Sequence, residues 1–284
     1  MGDETMSCEM KNLAHESPAA PATSASRGRT RVSPTTGSRR TYLSGCLSGI
    51  LTVWLLAGCG YHHYAGPLQP GGEQSSAMTI ADDGSVTYVQ GRLEVRLRPV
   101  TDDELNRQFS SQSAGGPKAT NPYTYGDTEF FEGQKKRQRF TVFSLNVKNY
   151  EYPKVNVDPR RIQMQASNKR EYWSLSIQQM DNYFRAYAVG YRGNEYSRYR
   201  ERRDLMQRTT FAEQDIFSGQ EAEGLIAFPS LHPDVDQVRL VIRDLVLRFD
   251  YRNEPIEAVD LTYDFRRDVG RQYPDGTIAL SDGE

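Results

Sequence analysis

Apolar residues recur at every second position in several short windows of the chain. Leu93, Val95 and Leu97 alternate with Arg92, Glu94, Arg96 and Arg98, the period of a strand with one buried and one wet face. The same period runs through Phe140, Val142, Leu145 and Val147, with Phe143 added and Asn149 closing the run. Ile162 and Met164, then residues 171–175, 211–217, 225–228, 238–242, 245–249 and 258–265, predict further short strands separated by turn residues, the pattern of an antiparallel sheet. Between residues 176 and 207 the period changes. Ile177, Met180, Phe184, Tyr187 and Tyr191 recur every three or four positions behind Ser176, a candidate N-cap, and predict a helical insert. A short helix is predicted at 101–109, where Thr101 and Glu104 have capping-box spacing. The polar stretch that follows it, to about residue 137, predicts a long loop.

One apolar window fits none of these. Arg39 and Arg40 precede a mostly apolar stretch over residues 42–56, broken by Ser44, Gly45, Ser48 and Gly49 and followed by Ala57 and Gly58. That order of charged, apolar and small residues is that of a secretory signal, and the run is short for a spanning helix, which needs about 20 apolar residues. Its end, Leu56-Ala57-Gly58-Cys59, resembles the lipobox of bacterial lipoproteins. The resemblance implies a diacylglyceryl group on the Cys59 thiol, removal of residues 1–58, and acyl chains that anchor the remainder; each buried methylene contributes about 0.8 kcal/mol. Gly60 in place of Asp is similar to the outer-membrane sorting pattern. Residues 38–43 also resemble the twin-arginine export motif.

The domain boundaries follow. Residues 1–58 form an N-terminal extension and signal peptide. Residues 59–84, rich in Gly, Pro and Ser and containing His62 and His63, read as a lipidated tether. Residues 85–266 form a β-sandwich domain, and 267–284 a flexible tail. The run Phe140 to Asn149, then Val155 to Pro159, Thr209 to Phe211 and Gly224 to Pro229, resembles the immunoglobulin-like domain of bacterial lipoproteins. The expected fold is therefore mainly β, an immunoglobulin-like antiparallel β-sandwich with a helical insert at about 176–207.

Composition narrows the chemistry. Of the 35 Lys and Arg and 37 Asp and Glu, six basic and four acidic residues precede Cys59, so the remainder carries a net charge of −4. Nucleic-acid binding calls for a basic surface and is not expected. The three cysteines are Cys8, Cys46 and Cys59; cleavage before Cys59 leaves a single, acylated sulfur and no disulfide. Past Cys59 the histidines are His62, His63 and His232, a poor supply of general bases for a hydrolytic triad. Phosphate-loop, Gly-x-Ser-x-Gly and zinc motifs are missing from the sequence. No enzyme, no cofactor and no metal site is expected.

The remaining signal is aromatic and cationic. Tyr187, Tyr191, Tyr196 and Tyr199 interleave with Arg198 and Arg200, residue types enriched where proteins meet. They are the candidate partner-binding residues. A structural reading competes, in which the tyrosines cover one end of the domain and the arginines pair with neighbouring acids. The expected function is a lipid-anchored, non-enzymatic assembly or protein-binding module of the cell envelope, held by the outer membrane and facing the periplasm. The rival expectation is a glycan- or cell-wall-binding module.

Overall fold

The computed structural model describes residues 60–113, 120–129, 131, 135–190 and 195–281, all within the unit Gly58–Glu284. Strands β1 (His62–Ala65), β2 (Gln69–Pro70), β3 (Met78–Ile80), β4 (Val86–Gln90) and β5 (Leu93–Val100) lead into helix α1 (Asp102–Gln108). Then come β6 (Thr124–Glu129), β7 (Lys135–Arg139), β8 (Thr141–Asn149), β9 (Lys154–Val157), β10 (Ile162–Ala166) and β11 (Glu171–Trp173). Helices α2 (Ile177–Gly190) and α3 (Glu195–Thr209) separate these from β12 (Gln214–Phe217), β13 (Gln220–Phe228), β14 (Gln237–Phe249), β15 (Pro255–Arg266), β16 (Val269–Gln272) and β17 (Ile278–Leu280). The protein is mainly β, and the pairings within its sheets are antiparallel.

Two sheets share one core. The first has the order β13-β8-β5-β4-β3; the second runs β11-β10-β14-β15-β2, with β9 and β12 joined to it through β14. Val95, Leu97, Phe143, Leu145 and Val147 of the first pack with Ile162, Met164, Leu240, Ile242, Tyr263 and Phe265 of the second. The Tyr263 hydroxyl, fully buried, donates to the Val95 carbonyl across the gap at 2.9 Å, so the one polar atom of that ring is satisfied inside the core.

Strand β14 serves two partners in turn. Its first half pairs with β10, from Val238 opposite Ala166 to Ile242 opposite Ile162. The register breaks between Ile242 and Leu245, after which Val246 pairs with Asn156 of β9. Asp244 at the break has φ +52°, and its N–H donates to the Asp260 carboxylate at 2.8 Å. Residues 238–242 and 245–249 read as two strands in the sequence; they are one strand with a bulge, which bends the ladder and re-aims it.

A second core lies on the outer face of the first sheet. Strand β8 turns Phe143, Leu145 and Val147 to the shared core and Val142 to the other side, where it joins Leu225 and Ala227 of β13. Above them sit Leu105 and Phe109 from α1, Tyr123 and Tyr125 from the chain entering the β6–β7 hairpin, and Met180, Phe184, Tyr199 and Met206 from α2 and α3. The Thr101 hydroxyl and the Glu104 carboxylate close the capping box of α1 reciprocally, as their spacing predicts. The long loop expected to residue 137 instead contains the β6–β7 hairpin. Its sequences, TYGDTE and KKRQR, lack apolar alternation, so nothing in their pattern announces strands.

The segments expected to be a tether (59–84) and a flexible tail (267–284) are both corrected by strands. β1 pairs with β16 from His62 opposite Gln272 to Ala65 opposite Val269, and β17 adds to β16. β2 pairs with the end of β15, and β3 is the edge of the first sheet. These strands are short and mostly half-exposed, so main-chain hydrogen bonds rather than an apolar face specify them. Gly270 is required where β16 meets β17, because a Cβ there would lie 2.2 Å from the Ala279 carbonyl oxygen.

Carboxylates held below their ordinary pKa, Asp83 and Asp215 among them, set an acid limit on this fold. Asp83 accepts from the Ser85 hydroxyl at 2.6 Å, and that hydrogen bond, then the Ser85 N–H and Arg96, holds its pKa below the ordinary 3.8 against partial burial. Asp215 is lowered in the same way, first by the Asn156 amide and then by Lys154. A lowered folded pKa gives stability that is complete above the unfolded value and is lost as pH falls through the folded value. The thermal midpoint is therefore expected to fall on acidification below about pH 4. The fall should be shallower in the variant Asp83→Asn with Asp215→Asn, followed by circular dichroism from pH 5 down to pH 2.

Candidate functional site

Four chain segments converge where the helical layer meets strand β13. The Leu175 N–H donates to the Ala227 carbonyl at 2.8 Å, and the Phe211 N–H to the Leu225 carbonyl at 2.9 Å, so the entries to α2 and to β12 both run along β13 with main-chain support. Their approach is close: a Cβ on Gly224 would lie 2.5 Å from the Phe211 Cα. A glycine inside a strand marks such an approach, and Gly224 is the one sequence signal that could have located this place.

The junction forms an open pocket of about 270 Å³ with Leu175, Ile177, Phe211, Leu225 and Ile226 in its lining. Its rim is charged. The Arg160 guanidinium holds Asp158 through two bonds of 2.9 and 3.0 Å and reaches Glu213 at 2.5 Å. Asp158 also caps the turn over residues 159–161 by accepting from the Arg160 N–H at 2.9 Å, which fixes the loop that carries the guanidinium. At the other side Ser176 caps α2: its hydroxyl accepts from the Gln179 N–H at 3.3 Å, while the Gln179 side-chain oxygen accepts from the Ser176 N–H at 2.9 Å. The Ser174 hydroxyl donates to the Pro159 carbonyl at 2.5 Å. Both serine oxygens are thus engaged with the main chain, and the surface offered inward is mostly apolar, with Gln207 and Thr210 as polar members of the lining. Such a site can receive an aliphatic or aromatic side chain while Arg160 and Glu213 pair with a polar neighbour.

A wider, polar groove of about 860 Å³ lies elsewhere, beside the end of β15, with Gln74, Gln165, Ser167, Gln237, Arg239 and Asp264 in its lining. The Gln74 side chain bridges Asp264 through both its amide nitrogen, at 2.6 Å to the carbonyl, and its oxygen, at 3.2 Å from the N–H. The loop wall is therefore tied to the sheet.

The residues singled out by sequence are distributed differently. Cys59 and Tyr191 lie outside the described residues. Tyr187 belongs to α2, and Tyr196 and Arg198 to α3; Arg200 is exposed on α3. Tyr199 is 5% exposed, packs 6.4 Å from the Phe184 ring and donates its hydroxyl to Asp181. Burial pushes its phenol pKa up, and Asp181 adds to the rise. Asp181 also meets Arg185 and Arg203, at 3.3 and 3.4 Å, which clips α2 to α3. Tyr199 is therefore a core residue that holds the helical pair together, and the partner surface drawn through it from the sequence is corrected at this position. Arg160 and Glu213 were missed because each is an isolated charge whose partner is distant in sequence.

His62 and His63, read as part of a tether, stand side by side in β1, and His232 pairs with Asp234 on an exposed turn. Among the described residues no three His, Cys, Asp or Glu side chains converge as a metal site, and no helix is long and apolar enough to cross a membrane. Compared with models of protein families, with curated proteins and with solved structures, the chain has no match.

Proposed function

We propose that this is a lipid-anchored protein of the cell envelope, acylated at Cys59, that works without catalysis as an assembly or protein-binding module. In this reading the two sheets form an immunoglobulin-like sandwich, and the outer membrane carries the protein on its periplasmic side. The observation that carries the binding role is the pocket beside β13. Its mostly apolar lining is preformed by main-chain pairing, the Ser174 and Ser176 hydroxyls are engaged with the main chain, and its rim presents one cation and one anion. That is the form of a pocket for an anchor side chain of a partner protein.

A photo-crosslinking residue at Gln207, on the lining, is expected to give a discrete adduct with one envelope protein in intact cells. The same residue at Tyr251, 87% exposed on the β14–β15 turn, should give none. The adduct should fall several-fold when Ile177→Asp fills the pocket with charge, and an adduct indifferent to that change would reject the pocket. Labelled palmitate should enter the protein and be absent from Cys59→Ser; an unlabelled native chain would reject the anchor.

The polar groove beside β15 supports a second reading, a glycan-binding module, because amides, a hydroxyl and Arg239 suit sugar hydroxyls. Replacing Gln165 and Arg239 with Ala should then abolish retention on cell-wall polysaccharide. Retention unchanged in that double variant would remove the second reading.

A further inference from the structure

The first strand begins almost at the acylated residue. β1 starts at His62, three residues past Cys59, and three extended residues reach only about 10 Å. A lipid headgroup layer is roughly 5–8 Å thick, from the difference between the whole bilayer and its hydrocarbon core. On the lipid-anchor reading proposed above, no spacer then separates the bilayer from the sheet β1-β16-β17. Whatever that sheet presents meets the headgroups.

Its surface has the residue types of a membrane interface. The register places His63 opposite Arg271, and Arg271 opposite Ala279, so these three share one face. Tyr61 meets the His63 ring edge-on at 5.9 Å, and the Arg271 guanidinium lies 4.7 Å from the centre of the Tyr61 ring. One edge of the sheet is β17, whose residues are all exposed, Ile278 at 42% and Leu280 at 55%; paired with Gln272 and Gly270, these two lie on the face opposite Ala279, Arg271 and Tyr61. An edge strand of a protein surrounded by water is ordinarily blunted with charge; this one ends the sheet with two large aliphatic side chains. Lys135 and Lys136 are exposed at the start of β7, and Lys136 is near enough to His62 to help lower its pKa, after burial. Tyrosine at the headgroup level, aliphatic side chains on the reverse face of the same sheet and cations toward lipid phosphates are residue types of interfacial anchors.

We propose that the sheet β1-β16-β17 is a second, non-covalent membrane contact. The sheet meets the bilayer through the end next to Cys59, where Tyr61 on one face and Ile278, with Leu280 behind it, on the other enter the boundary between headgroups and acyl chains, and Arg271, Lys135 and Lys136 meet lipid phosphates. The contact also orients the protein. β15 ends three residues before β16 and is 12 residues long, about 40 Å, so the β14–β15 turn with Tyr251 lies about a strand's length from the end of β15 that leads into this sheet, and we propose that the contact turns it away from the bilayer.

The test uses the acylated protein in vesicles of phosphatidylethanolamine and phosphatidylglycerol, with and without bromine on the acyl chains. In a Trp173→Phe background the processed chain has no other tryptophan. Tyr61→Trp or Leu280→Trp then reports on the sheet, and Tyr251→Trp on the far end. Interfacial burial of about 5–10 Å brings a ring within reach of the bromines, so the first two variants should be quenched roughly twofold or more and Tyr251→Trp should be unchanged. Intact mass measured on the same samples shows whether the acyl chains are present. An acylated protein with no quenching at residues 61 and 280 overturns the contact and leaves the anchor standing; equal quenching at all three positions overturns the orientation. A protein without acyl chains overturns the anchor, and this proposal with it.

Discussion

Phe143→Ala is expected to unfold the protein at markedly lower temperature or urea concentration. The ring is fully buried and is the point where the two sheets touch through aromatic edges. Its centroid lies 5.2 Å from Phe265 of the facing sheet and 5.9 Å from Phe228 of its own. Removing a buried Phe costs about 3–5 kcal/mol in lost transfer and residual cavity, and each aromatic pair adds about 0.5–1.5 kcal/mol beyond area. Domain stabilities are about 5–15 kcal/mol, so this one ring is a third or more of a typical total. For a chain of this size the thermal midpoint should drop by roughly 10 °C, at 2–4 °C per kcal/mol. Phe217→Ala is the comparison. That ring is 52% exposed on β12, and a surface change should stay within about 0.5 kcal/mol. A loss under about 1 kcal/mol at Phe143 would mean that the shared core is not packed around this ring.

How much of this was legible beforehand depended on what specifies each element. Strands whose inward face is apolar announce themselves: β5, β10 and β15 lie where the alternation of Leu93, Ile162 and Leu261 puts them. β8 was legible as a strand, but the adjacent Val142 and Phe143 look like an error in a one-faced pattern. They are the mark of a strand covered on both sides, Phe143 by the second sheet and Val142 by the helical layer. The bulge in β14 hid one strand as two, since Arg243 and Asp244 interrupt the apolar run at the point where the pairing partner changes. The short β16–β17 hairpin has no long apolar alternation to announce it, and β1 was illegible because it is specified by pairing with β16 some 200 residues away, which no local window contains. The same limit hid the candidate site. Arg160 and Glu213 carry no motif, and the rim exists only because the β9–β10 turn and the entry to β12 are brought together. Tyr199 shows the converse error: a conspicuous composition of Tyr and Arg suggested a surface, whereas the helical pair uses that tyrosine inside.

Asn149→Ala is expected to cost about as much as the loss of the ring, for a different reason. The side chain is fully buried at the end of β8 and uses its whole hydrogen-bonding capacity. Its amide nitrogen donates to the carbonyls of Tyr152 and Ile216, each at 2.8 Å. Its oxygen accepts from the N–H of Tyr152 at 2.9 Å and of Glu151 at 3.3 Å. One amide therefore shapes the turn that carries the chain from the first sheet to β9 and ties it to β12. Truncation leaves several main-chain groups without partners in a dry place, at about 1–3 kcal/mol each where water cannot replace the bond, so a total of roughly 3–5 kcal/mol is expected. Asn149→Asp separates this account from a simple loss of volume. The shape is kept, but an ionised carboxylate faces two carbonyl oxygens and has no proton to give them, whereas the neutral acid can donate to one. The folded state should therefore raise the pKa of the new carboxyl. Stability then stands at its fullest below the unfolded value near 3.9 and declines as pH rises through the folded value, opposite in sign to the acid loss expected from Asp83 and Asp215. Urea titrations of the native protein and of Asn149→Asp should give a stability gap that widens from pH 3 to pH 7. A gap independent of pH would mean that the Asn149 amide does not donate to the two carbonyls, and that volume alone holds the turn.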